Sequence, residues 1–265
     1  MKNIISLFLV VLMFASCTER MDIDLDGVPP QLVIYGSIST DATQHRISVM
    51  RSSDYFSNAT PESISGATVT ISDGGNVFVL TESPTEKGVY QTAPDVFGVE
   101  GKTYILTVVA AFNGETKEYT AASFLPYSVQ VDSVLLQQHS NDLPNTTAVD
   151  ALLYGTLPNS ENICLNVLPF GNDNLPLNDK LTAYSIISDI QQFNPLKLTL
   201  RNVEKQSIAN LQIQTITKEY ADYVLAVQQE LRWSIPIFSS PPANVPANIS
   251  GGAVGFFTAY AIKKK

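Results

Sequence analysis

Two glycine turns constrain the first half of this chain more than any other feature. Asp73-Gly74-Gly75-Asn76 separates residues 67–71 from residues 77–80, and Asn113-Gly114 separates residues 103–109 from residues 117–122. The flanks are rich in Val, Ile, Thr and Tyr. A glycine between two such runs supplies the positive φ that tight hairpins require. Residues 32–38, 46–50 and 88–90 read as further strands of the same kind. Roughly seven short strands at this spacing predict an immunoglobulin-like or transthyretin-like sandwich over residues 31–125. The disulfide and core tryptophan of antibody domains are missing there, because the cysteines are Cys17 and Cys164 and the one tryptophan is Trp233.

Leu125-Pro126 reads as a boundary. Beyond it, residues 129–136, 148–155, 163–170, 196–203 and 208–216 have strand character, with polar loops at 137–146 and 171–180. One amphipathic helix is expected near residues 218–233. Thr217 can cap it, Glu219 suits the positive helix start, and Tyr220, Tyr223, Val224, Val227 and Leu231 fall on one face. That face is expected to cover a sheet. Four prolines exclude a helix or central strand between residues 235 and 246, and a closing strand is expected to run through Ile262. The fold is therefore expected to be mainly β: a sandwich, then a β-rich domain over residues 126–265 with one packed helix.

The amino terminus carries a different signal. Lys2, a mostly apolar run over residues 4–14, and Ala15-Ser16-Cys17 have the layout of a bacterial lipoprotein signal peptide. On this reading residues 1–16 are removed, Cys17 is lipidated, and residues 17–30 form the anchor and an acidic tether. The alternatives are an ordinary secretory signal cut elsewhere, or a buried strand. The run is too short to span a bilayer, which takes about 20 residues. Lipidation of Cys17 leaves Cys164 as the other cysteine. It sits in an apolar run and is expected to be a small buried hydrophobe.

Charge narrows the partners. The chain carries a net −9 with a pI near 4.7, which opposes binding to nucleic acid or anionic headgroups. Catalysis has no motif behind it. His45, beside Arg46, is expected at an exposed strand end, and His139 in a polar loop. Among the carboxylates, Glu82, Glu86, Glu161 and Asp150 are candidates for a hydrolytic pair, none singled out. Asn172-Asp173-Asn174 and Asn178-Asp179 gather oxygen atoms, yet the same residues dominate ordinary turns. Zinc spacing is lacking, and no cofactor or metal is expected. Gly251-Gly252-Ala253-Val254-Gly255 is expected to be a turn or bulge and not a phosphate cradle, since a strand follows it. Tyr55, Phe56 and Trp233 are the candidate ligand-binding residues for a glycan or peptide. Their alternative is to cap hydrophobic cores.

The ordered set of motifs carries a resemblance. Asn248-Ile249-Ser250-Gly251-Gly252-Ala253-Val254-Gly255-Phe256-Phe257 is similar to the ending of a family of Bacteroidetes lipoproteins catalogued as domain-of-unknown-function 4249. Residues 31–39, 64–71, 88–90, 101–106 and 218–223 resemble its other motifs in order, whereas the proline-dense stretch before Asn248 departs from them. The resemblance implies an outer-membrane lipoprotein encoded beside TonB-dependent transporters, with no catalytic residues to carry over. It also implies that Glu19, Asp22, Asp24 and Asp26, interrupted by Arg20, act as a sorting signal for the cell surface. Their alternative is a solvated tether on a periplasmic-facing protein. The expected function is a non-catalytic accessory or binding component of TonB-dependent nutrient uptake. A structural or adhesive surface protein and a glycan or peptide hydrolase are the alternatives.

Overall fold

The two glycine turns form as expected. In a computed structural model of the chain, which describes residues 29–52, 61–140, 147–158, 163–172, 185–187, 190, 193–201, 203, 205–231 and 245–265, Gly74 has φ +85° and Asn113-Gly114 has φ +52° and +84°. These turns join β3 (Thr68–Ser72) to β4 (Val77–Glu82) and β6 (Thr103–Phe112) to β7 (Glu115–Phe124). Asp73 holds the first turn together. Its carboxylate accepts from the Gly75 and Asn76 amides at 2.9 and 2.7 Å and from Lys102 Nζ at 2.7 Å. The Lys102 ammonium, then the two amides, holds the Asp73 carboxyl far below the usual carboxylate range.

A depressed folded pKa contributes stability that is present above the unfolded pKa and lost as pH falls toward the folded one. Asp73→Asn should therefore be less stable than wild type at neutral pH, with the gap closing below about pH 4. Urea denaturation at stepped pH checks this. A gap that stays constant into strong acid would contradict it.

The first sandwich packs two halves of one curled sheet. β1 (Leu32–Ser39), β2 (Arg46–Arg51) and β5 (Val89–Gln91) form one half, and β4, β3, β6 and β7 the other, joined where β4 meets β5 through Thr81–Gln91 and Glu82–Tyr90. Ile34, Ile47, Ile71, Tyr104 and Leu106 fill the space between them, each at most 1% exposed.

Past Leu125-Pro126 come β8 (Gln130–Ser140), β9 (Thr147–Thr156), β10 (Cys164–Phe170), β11 (Ser185–Ile187), β12 (Leu196–Arg201) and β13 (Asn210–Ile216). β12-β9-β8 is a separate sheet that faces β11-β10-β13 across a second core of Leu153, Leu165, Val167, Leu200 and Ile213. Two expectations change here. β11 lies beyond any strand read from the sequence, and β8 extends through Ser140, so His139 is on a strand paired with Ala148 and not in a loop.

Helix α1 spans Lys218–Leu231, with Thr217 Oγ1 accepting from the Tyr220 amide at 3.3 Å as an N-cap. Its buried face differs slightly from the expected one. Tyr220, Ala221, Val224 and Gln228 are buried, while Tyr223 and Val227 are only half-buried. The helix packs on Cys164, Ile216 and Phe256, the sheet face opposite the second core.

The last strand, β14 (Val254–Lys264), joins the whole. It runs parallel to β1, with Val33 beside Val254 and Ser39 beside Tyr260, and antiparallel to β13. The chain thus returns across Leu125-Pro126 to complete the first sandwich. Phe257, Ala259 and Ala261 enter the first core, and Phe256 lies under α1. Asn248 fixes the entry: its side chain accepts from the Phe257 amide at 2.9 Å and donates to the Phe257 carbonyl at 2.7 Å. Gly251 and Gly252 form a turn that leads directly into this strand, so no helix start follows them.

Candidate functional site

Strand parity decides what the outer face of β14, β1 and β2 presents. The register pairs Tyr35 with both Ser48 and Phe256, Ser37 with Thr258, and Ser39 with Tyr260. These residues share the face opposite the core, because successive side chains alternate. At one end α1 covers it. Tyr220 and Tyr223 stack at 6.1 Å, their rings lie 5.6 and 4.7 Å from that of Phe256, and Tyr35 stacks on Tyr223 at 6.4 Å. Burial, with some help from neighbouring Tyr35, pushes the Tyr223 phenol up to about 12, so it is a neutral hydroxyl at physiological pH.

Beyond these rings the face forms a groove of about 410 Å³. Tyr35 and Tyr260 line it together with Ser37, Ser48 and Gln212, and Asp41, His45 and Arg46 also border it. Tyr35 is 39% exposed. The charges are compensated. Lys264 Nζ donates to Asp41 at 2.7 Å, and Arg46 pairs with Glu86. His45 corrects the sequence reading, since it is buried and not at an exposed end. Its amide donates to Thr92 Oγ1 at 3.0 Å, and its Nε2 donates to the Val96 carbonyl at 3.0 Å. Burial pushes its pKa down, which keeps the imidazole neutral. The groove therefore combines half-exposed rings, hydroxyls and an amide with no uncompensated charge.

A smaller groove of about 310 Å³ lies at the start of β1, where Pro29 and Pro30 meet Phe112, Lys117 and the Gly251–Gly252 turn. The segment from the amino terminus thus enters at one end of β1, and the larger groove runs along the rest of the strand, from Tyr35 to Ser39.

The other candidates fall as follows. Cys17, Glu19, Asp22, Asp24, Asp26, Tyr55, Phe56 and Trp233 lie outside the described residues, as do Glu161 and the oxygen-rich stretch from Asp173. Glu82 accepts from the Gly88 and Gly66 amides at 2.8 and 3.0 Å, which lowers its pKa. Glu86 is the partner of Arg46, and Asp150 binds Lys197 and Thr199 at 2.7 Å each. Each of these three carboxylates has a structural partner. Among the described residues no three His, Cys, Asp or Glu side chains converge to hold a metal, and no helix is long and apolar enough to cross a membrane.

The groove was missed in the sequence because its lining comes from β1, β2, β13 and β14. Each residue alone is an ordinary outward polar or aromatic side chain. Only the parallel pairing of β1 with β14 brings Tyr35 and Tyr260 onto one surface.

Comparison with known proteins adds a family and some distant likenesses. A profile described as domain of unknown function DUF4249 matches residues 18–265. No curated protein matches the sequence. Among solved structures, the chain is similar to the chicken CNTN1 FN1–FN3 domains, with 14% identity, 72% of this chain and 62% of that one covered, and a TM-score of 0.27. It is similar to a DUF4785 family protein from Legionella pneumophila, with 13% identity, 71% and 51% covered, and a TM-score of 0.24. A Salmonella alpha-2-macroglobulin mutant gives 12% identity, 72% and 14% covered, and a TM-score of 0.26. The chain spans less than two thirds of the length of each of these three.

Proposed function

The chain belongs to the family described as domain of unknown function DUF4249, and on that premise we propose that it is a lipid-anchored, non-catalytic binding component of TonB-dependent nutrient uptake, held through Cys17 in the outer membrane and facing the cell surface. The polarity of β1 carries this reading. The tether enters at Pro29, beside the start of the strand, and the larger groove opens toward the opposite end. A protein tethered at one end and recognising at the other suits capture above a membrane. The family match runs from residue 18 to residue 265, so it covers the chain that follows Cys17.

The test is co-purification. Extraction in mild detergent should recover the protein with a β-barrel transporter, and recovery of the protein alone would count against the reading.

One observation favours a structural or adhesive surface protein as the second reading. The outer face of β4-β3-β6-β7 aligns Val77, Ser72 and Ile105 in one row and Val79, Thr70 and Thr107 in the next. Val77, Val79 and Ile105 are 63%, 66% and 45% exposed, and neither row contains a charge. Uncharged exposed patches of this kind are common at protein–protein contacts. Concentration-dependent self-association without a small ligand would support that alternative.

A further inference from the structure

We infer that the groove between Tyr35 and Tyr260 is a binding site for an uncharged oligosaccharide. This rests on the reading of the chain as a binding protein, but not on its having a transporter partner. Size comes first: about 410 Å³ lies within the roughly 300–1,000 Å³ range of small-molecule sites, room for a short glycan.

Charge comes next. The ionisable residues lining the groove are neutralised in place: Asp41 by Lys264, Arg46 by Glu86, and His45 by burial. An anionic ligand would find no spare cation and would meet the field of a chain with net charge −9. A cationic ligand would have to take Asp41 from Lys264. The other lining groups are the hydroxyls of Ser37 and Ser48, the largely buried Gln212 amide and the partly exposed rings of Tyr35 and Tyr260. Such groups exchange hydrogen bonds with sugar hydroxyls, while the rings cover the apolar faces of the sugar.

The floor also separates a glycan from a peptide. Extended peptides are captured mainly through backbone hydrogen bonds at an open strand edge. Here β1 is paired on one side with β14 and on the other with β2, and β2 pairs in turn with β5. The floor is thus made of strands inside a sheet and not of a free edge strand, so recognition falls mainly to side chains.

The experiment is isothermal titration of the full-length protein in detergent with maltohexaose, cellohexaose, xylohexaose, laminarihexaose and mannohexaose, beside polygalacturonate and a casein digest. At least one neutral glycan should bind at millimolar concentration or below, and the acidic polymer and the peptides should not. Tyr260→Ala and Ser48→Glu should each weaken binding at least tenfold. Ser48→Glu removes no ring and places a carboxylate on the neutral floor, so it stays informative if Tyr260→Ala folds poorly. Thermal melts of both variants identify any folding defect. Binding of none of the neutral glycans, equal or tighter binding of polygalacturonate or peptides, or full affinity in folded Ser48→Glu would overturn the inference. Co-purification with a transporter in the absence of glycan binding would overturn it while leaving the proposed function standing.

Discussion

Gly255→Ala will cost the chain a large fraction of its stability. Gly255 sits at the start of β14 with φ +111°, a region that side chains other than hydrogen rarely adopt. A Cβ there would lie 2.0 Å from the Ile34 carbonyl oxygen and 2.9 Å from its carbon. These are backbone atoms of β1, so no side chain can swing aside to relieve the clash. Either β14 peels from β1 or both strands shift, and β14 carries residues of two cores. Backbone strain of about 1–3 kcal/mol then adds to lost pairing and packing, for a total of about 4 kcal/mol or more. That is a large fraction of the roughly 5–15 kcal/mol that holds a domain folded.

Gly252→Ala is the control. Gly252 also has positive φ, at +84°, but a Cβ there meets nothing within 4 Å. It should cost about 1–2 kcal/mol, the left-handed penalty alone. Urea denaturation of both variants separates the two cases. Equal losses would show that close approach of β14 to β1 does not govern stability.

Cys17→Ser will move the protein from the membrane to the soluble fraction. Each buried methylene of an acyl chain contributes about 0.8 kcal/mol, so one chain holds marginally and two or more hold stably. No described helix can substitute as a span, and the net charge of −9 does not favour an anionic surface. Retention should therefore fall to background. The fold should be unaffected, because the first strand begins at Leu32, 15 residues past the anchor. Fractionation with a carbonate wash, followed by circular dichroism of the released variant, checks both parts. A variant that still sediments with membranes would contradict lipid anchoring at Cys17.

Local chemistry made much of the fold legible. The hairpins around Gly74 and Gly114 could be read because a glycine of positive φ between β-branched runs has few other uses. The cap at Thr217 is similarly local. The insertion of β14 beside β1 could not be read, since parallel pairing between chain ends leaves no mark in either segment. His45 was misjudged from its neighbour Arg46. Its parity with Ile47 and Val49, both buried on β2, pointed inward and was the better guide. Gln228 is buried on α1 where Val227 was expected to be, and the sheet beneath the helix likewise carries Asn166 and Gln214 as buried polar residues. The groove was hidden for the same reason as β14: its lining residues come from strands far apart in the chain.

Partner capture in living cells tests the central claim most directly. A photocrosslinking residue at Gln44, beside the groove, would be activated in intact cells and the adduct identified by mass spectrometry. The account predicts a dominant adduct with an outer-membrane β-barrel transporter. Adducts made only with further copies of this chain, or none while the protein is abundant at the membrane, would contradict it.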